Sequence, residues 1–171
     1  MSPADSPDFV AQLQAHKGIL YKVANAYCAR REDRGDLIQD MILELWRAYP
    51  RFDGRASFST WMHTIAMNVA ISMHRSEGRR IRDALSLDEF GLDLAGADAV
   101  LDAEDADMRA LHQLIAALPP VDRAMVLLYL EGYGYDEIAT MVGIGASNVG
   151  TRLNRIKDKW RREHATPGET A

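Results

Sequence analysis

A chain of 171 residues and 19.1 kDa, 47% apolar and 26% charged, has the makings of one ordinary folded domain or two small ones. No apolar run approaches the roughly 20 residues of a membrane span, so no membrane insertion is expected, and the polar Met1–Ala11 stretch with its two prolines does not read as a signal peptide. The single cysteine, Cys28, excludes a disulfide framework or cysteine-rich zinc site, and the five scattered histidines form no Glu-x-x-His or His-x-x-x-His pair, so neither a metal nor another cofactor is expected.

The net charge of −5 hides an asymmetry: residues 1–82 carry +3, residues 83–107 carry −9 with no basic residue, and residues 108–171 carry +1. Apolar residues recur at helical spacing almost throughout, which predicts an all-α chain. A first helix is expected over about Pro7–Cys28, with Phe9, Leu13, Leu20, Val23 and Tyr27 facing inward. The second starts near Asp33 or Gly35 and stops before Pro50, burying Leu37, Ile38, Met41, Ile42, Leu45, Trp46 and Tyr49. Opposite that stripe stand Asp36, Gln39, Asp40, Leu43, Glu44 and Arg47. An apolar side chain inside an acidic face suits a basic protein partner; a carboxylate metal site or a plain solvated face are the competing readings.

The loop Arg51-Phe52-Asp53-Gly54-Arg55-Ala56 follows, and Ser57 is a candidate N-cap for the third helix. Phe58, Trp61, Met62, Ile65, Ala66, Val69 and Met73 are its expected core face. Its outer face carries His63, Thr64, Met67, Asn68, Ile71, His74 and Arg75, with Arg79, Arg80 and Arg82 beyond its end. Arg51, Phe52, Arg55 and Phe58 mix positive charge with rings, the ingredients for holding an unstacked base, although rings at helical spacing more often belong to a core, and Trp61 is expected to be at least half buried.

The acidic stretch 83–107 reads as a solvated, flexible linker with a short turn around Leu85–Phe90; the sharper alternative is a nucleic-acid mimic lying in a partner's basic channel. Four shorter helices follow: about Ala103–Leu118, Val121–Glu131 after Pro119-Pro120, Tyr135–Val142, and Ser147 to about Arg162. Gly143 suits a left-handed C′ position. Val149, Leu153, Ile156 and Trp160 give the last helix an inner stripe, opposite Ser147, Asn148, Thr151, Asn154, Arg155 and Asp158, with Arg152 on the flank. This helix-turn-helix pattern suits the major groove, where Asn and Arg read base edges while Lys157, Lys159, Arg161 and Arg162 reach phosphate. A plain helical hairpin is the bland alternative. The resulting organisation is a three-helix module (1–82), the linker (83–107), a helix-turn-helix module (108–165) and a tail (166–171).

Taken together, Asp36-Leu37-Ile38-Gln39-Asp40, Leu45-Trp46-Arg47-Ala48, Arg51-Phe52-Asp53-Gly54 and Phe58 to Asn68 resemble region 2 of the bacterial sigma-70 family of initiation factors. Leu118 to Arg123, Tyr135 to Ala139 and Asn148 to Arg155 resemble region 4. A chain with these two regions alone is similar to the extracytoplasmic-function (ECF) group. The resemblance implies a cytoplasmic, non-enzymatic factor that binds core RNA polymerase, selects promoters and opens them. It implies docking of the Asp36–Tyr49 helix on the β′ clamp helices and of region 4 on the β flap. It also implies −10 readout by Arg51, Phe52, Arg55, Phe58, Trp61, Thr64, Asn68 and Arg75, and −35 readout by Ser147, Asn148, Thr151, Arg152, Asn154, Arg155 and Lys159. The linker is expected near the RNA exit path, and an anti-sigma factor is a further expected partner. Two positions depart from the family pattern: Gly145, where serine or proline is common, and Gly150, where a basic residue is common. An autonomous operator-binding regulator with an N-terminal sensing or dimerisation module is the alternative.

Overall fold

The computed structural model describes residues 7–75 and 87–165, and among them finds helices and no strand. The expected tail 166–171 and Arg79, Arg80 and Arg82 lie outside the described residues. The chain divides into two compact units, Met1–Pro120 and Val121–Ala171.

In the first unit the expected opening helix is two: α1 (Pro7–Ala15) and α2 (Lys17–Tyr27). They part at His16, whose φ of −115° and ψ of 16° leave the helical region beside the poor helix former Gly18. α3 (Arg31–Ala48) begins earlier than its apolar stripe suggested, and Arg34 explains the tight turn into it. Its guanidinium donates to the carbonyls of Cys28 and Ala29 at 3.5 and 3.1 Å, satisfying the orphan end of α2. Leu37, Ile38, Met41, Ile42 and Leu45 are fully buried, as the spacing predicts. A 3-10 turn over Tyr49–Arg51 carries the chain past Pro50.

α4 (Phe58–Arg75) starts on Ser57, whose hydroxyl accepts from the Thr60 amide at 3.2 Å. Its buried face differs from the predicted one. His63, Met67 and Ile71, expected outside, are buried, whereas Trp61, Ile65, Val69 and Met73 are only half-buried. The cause is packing: α4 lies against both α2 and α3, so a broad arc around Met62, Ala66 and Ala70 is covered rather than one stripe.

The stretch expected as a flexible linker is folded over its described part. A 3-10 turn, Leu87–Phe90, precedes α5 (Leu94–Asp102) and α6 (Ala106–Ala116). Phe90, Leu92 and Ala97 are buried, so a few apolar side chains among many carboxylates suffice to dock the segment. Two of its aspartates are N-caps: Asp93 accepts from Gly96 N at 2.6 Å and Asp105 from Met108 N at 2.9 Å. α6 packs on α2, so the observed division of the chain falls after this helix.

The second unit holds α7 (Pro120–Leu130, its first residue ending the first unit), α8 (Tyr135–Val142) and α9 (Ala146–Glu163). Ala124, Met125, Leu128, Ile138, Val149 and Leu153 form its core. Gly143 closes α8 with φ 80°, the left-handed geometry expected at that position.

Candidate nucleic-acid interface

α9 presents Ser147, Asn148, Thr151, Asn154, Arg155 and Lys159 on its exposed side while Val149, Leu153 and Ile156 point into the unit. Gly145 precedes it in extended geometry with no side-chain cap, so the amides of its first turn face outward without an internal acceptor. The basic residues divide by what holds them. Arg155 carries no ion pair among the described residues, whereas Arg152 lies half-buried against Asp122 at 2.8 Å. Arg152 therefore ties α9 to α7 through this ion pair. Lys157 also has partners within the unit, its ammonium 4.1 Å from the centre of the exposed Tyr129 ring and 3.5 Å from the Tyr135 hydroxyl. Hydrogen bonding to Tyr129, then Tyr135, holds its pKa above the ordinary lysine value. Gly150 faces Tyr135, where an added Cβ would touch the ring at 3.4 Å, so this position points at α8 rather than into a groove. Lys159 stands 3.9 Å from Glu163, a loose surface pair, and Thr151 bonds back to the Ser147 carbonyl.

On α3 the side opposite the core carries half-buried Asp36, Gln39, Asp40 and Leu43 and exposed Glu44 and Arg47. Glu44 and Arg47 pair at 2.8 Å. Among the described residues no group of three or more histidine, cysteine or carboxylate side chains is placed to hold a metal ion.

The loop before α4 sits against a ring cluster. Phe52 lies 4.9 Å from Trp61 and 5.8 Å from Phe58, centroid to centroid, and Tyr49 and Phe9 extend the cluster. Phe58 is 7% exposed, so its ring lies on the core face of α4 where the spacing puts it. Phe52 and Trp61 are half-buried, with Arg51 and Arg55 exposed nearby in sequence. Arg55 is tied to Asp53 at 3.1 Å across the Gly54 turn, whose φ is 75°. Thr64 is half-buried and Asn68 exposed one turn later, its amide donating to the Thr64 carbonyl at 2.8 Å. The side chain of Arg75 lies outside the described residues.

Sequence reasoning missed a set of polar residues on α2 and α3. Tyr21, Asn25, Tyr27 and Arg34 all meet the 93–120 segment: the Asn25 amide donates to the Ala97 carbonyl at 3.0 Å, and Asp98 bridges Arg34 (3.1 Å) and Arg31 (2.8 Å). The available signal was Asn25 itself, a polar side chain set among Val23, Ala24 and Ala26 on an otherwise apolar stretch.

Residues 13–80 match the family model of Sigma-70 region 2, and residues 108–159 that of Sigma-70, region 4. The chain is 26% identical to the ECF RNA polymerase sigma factor SigE of Mycolicibacterium smegmatis over 92% of its own length, and spans 62% of that relative, less than two thirds. To the RNA polymerase sigma-H factor of Pseudomonas aeruginosa it is 29% identical over 74% of its length and 70% of the relative. Its fold is shared by the sigma factor RpoE solved with the anti-sigma factor NepR from Bartonella quintana, with a TM-score of 0.65 at 18% identity over 92% of this chain and 96% of that one. It is also shared by CnrH solved with the cytosolic domain of CnrY, with a TM-score of 0.52 at 22% identity over 91% and 86%. With both regions matched in order along the sequence, the chain belongs to the sigma-70 family, in its ECF group.

Proposed function

We propose that this protein is an initiation factor that binds core RNA polymerase in the cytoplasm, selects promoters and helps open them, with no catalysis of its own. The observation that carries this reading is the exposed face of α9. Ser147, Asn148, Asn154 and Arg155 stand together on a helix-turn-helix with no ion pair among the described residues to occupy them, the arrangement that direct readout of duplex base edges needs. The first unit supports the second half of the reading. Exposed Asn68 beside half-buried Thr64, and the Phe52–Trp61 ring pair beside Arg51, suit single-stranded bases rather than a groove. The α3 face from Asp36 to Arg47 then serves as the polymerase-docking surface, and the second unit as the β-flap contact. An operator-binding regulator would need the second unit alone and gives the α3 and α4 surfaces nothing to do. One related structure holds an anti-sigma factor, which supports a partner of that kind here.

The test is pull-down of core polymerase by the full chain, with Asp40→Lys/Glu44→Lys as the variant. Wild type should retain core and the double variant should lose most of it at unchanged helicity. Equal retention by both removes α3 from the interface, and no retention by wild type removes the function.

A further inference from the structure

The outer face of α1 and the turn after α3 flank a cleft of about 480 Å³, lined by Asp8, Ala11, Gln12, Ala15 and Tyr49. That volume is in the range that holds one small ligand. Asp8 and Gln12 stand one turn apart on α1 and so share a face, with the small side chains of Ala11 and Ala15 beside them. The four α1 residues are exposed and Tyr49 is half-buried. Among the described residues the Asp8 carboxylate, the Gln12 side-chain amide and the Tyr49 hydroxyl have no hydrogen bond, so three polar groups with unused bonding capacity meet at one hollow.

The cleft continues the ring cluster. Tyr49 rests on Phe9 at 5.1 Å, centroid to centroid. It lies 6.5 Å from Phe52, tilted from it by only 18°, and 6.3 Å from Trp61. Those separations are about twice the roughly 3.4 Å per nucleotide of a stacked strand. An unstacked strand that lays one base on the Phe52–Trp61 pair therefore delivers the next base to Tyr49. The polar groups decide which base. A carboxylate only accepts hydrogen bonds. Guanine alone carries two adjacent donors, N1–H and the 2-amino group, on its pairing edge, whereas each other base sets a lone pair beside its donor. Asp8 thus gains two bonds from guanine and meets repulsion from the rest, and Gln12 can donate to guanine O6. The same charge keeps phosphate out, so the base enters and the backbone stays outside.

We propose that this cleft is a second base subsite, next to the Phe52–Trp61 pair, which holds one unpaired guanine of the promoter strand with Tyr49 against its face and Asp8 on its pairing edge. The proposal rests on the initiation-factor reading and extends it to base identity at one position. Asp8 and Gln12 precede residues 13–80, the stretch that matches region 2, so the preference is carried by residues outside the matched region. Asp8 also stands in the first turn of α1, where a carboxylate meets the helix dipole; that role bears on stability and leaves base choice alone.

The test offers randomised single-stranded oligonucleotides to core polymerase loaded with the full chain, and sequences those retained. Wild type should enrich guanine at least fivefold at one position. Asp8→Asn, whose amide both donates and accepts, matches the pairing edge of adenine and should switch that position from guanine to adenine, with preferences elsewhere unchanged. Replacing the selected guanine by inosine, which lacks the 2-amino group, should weaken wild-type binding at least fivefold and make no difference to Asp8→Ala. Asp8 is exposed, so these variants keep the fold. A guanine preference that survives Asp8→Asn, or other base preferences with none for guanine, overturns the subsite and leaves the initiation-factor reading standing. Retention no better than by core alone overturns that reading and the subsite with it.

Discussion

Arg152 and Arg155 stand one turn of α9 apart, and exchanging either for alanine should give opposite results. Arg152 is half-buried and pairs at 2.8 Å with Asp122, whose side chain is 18% exposed. Its removal leaves a largely desolvated carboxylate without this partner, and discounting for the open side of the pair, we expect a loss of about 1–2 kcal/mol. Amides of α7 and α9 in the full chain should then exchange about 5–30 times faster wherever exchange follows opening of the unit. Adding Asp122→Ala to Arg152→Ala should recover part of the loss, because the stranded charge is gone. Arg155 is exposed and carries no ion pair among the described residues, so Arg155→Ala should leave exchange within about 0.5 kcal/mol of wild type. It should instead cost about 1–3 kcal/mol in binding a −35 duplex and relax base preference at one or two positions. Exchange and gel-shift titration on the same samples read the two quantities separately. If Arg152→Ala leaves exchange unchanged while weakening duplex binding as Arg155→Ala does, the assignment of Arg152 to the α7–α9 contact is wrong.

Other substitutions test the first unit and the turn. Asn68→Ala should reduce permanganate reactivity of melted −10 thymines while binding to a −35-only duplex stays at the wild-type level. Phe58→Ala should act as a core deletion costing about 3–5 kcal/mol by urea unfolding, since its ring is buried among Phe52, Trp61 and His16; a selective DNA defect at full stability would contradict that placement. Gly143→Ala forces a side chain into left-handed geometry and should destabilise the second unit by about 1–2 kcal/mol, seen as faster exchange in α8.

Much was legible in the sequence because helices carry local marks. The α3 stripe, the Ser57 cap, the bounds of α8, the Gly143 turn and the inner face of α9 all follow from spacing and from residues that favour one backbone geometry. The residues exposed on α9 follow too, because a helix packed on one side leaves its other side free. What tertiary structure decided is where an element touches more than one neighbour or docks through few side chains. α4 is covered on two sides, which turns His63, Met67 and Ile71 inward and leaves Trp61 half-open, and no single-stripe pattern contains that. Likewise Arg152 is paired with Asp122 and Lys157 with Tyr129, partners 30 and 28 residues away, so the basic helix has fewer unpaired cations than its sequence displays. The acidic stretch reads as solvated because composition averages over it. Its docking rests instead on Phe90, Leu92, Ala97 and a handful of hydrogen bonds to α2 and α3, contacts that exist only once those helices have assembled to receive them.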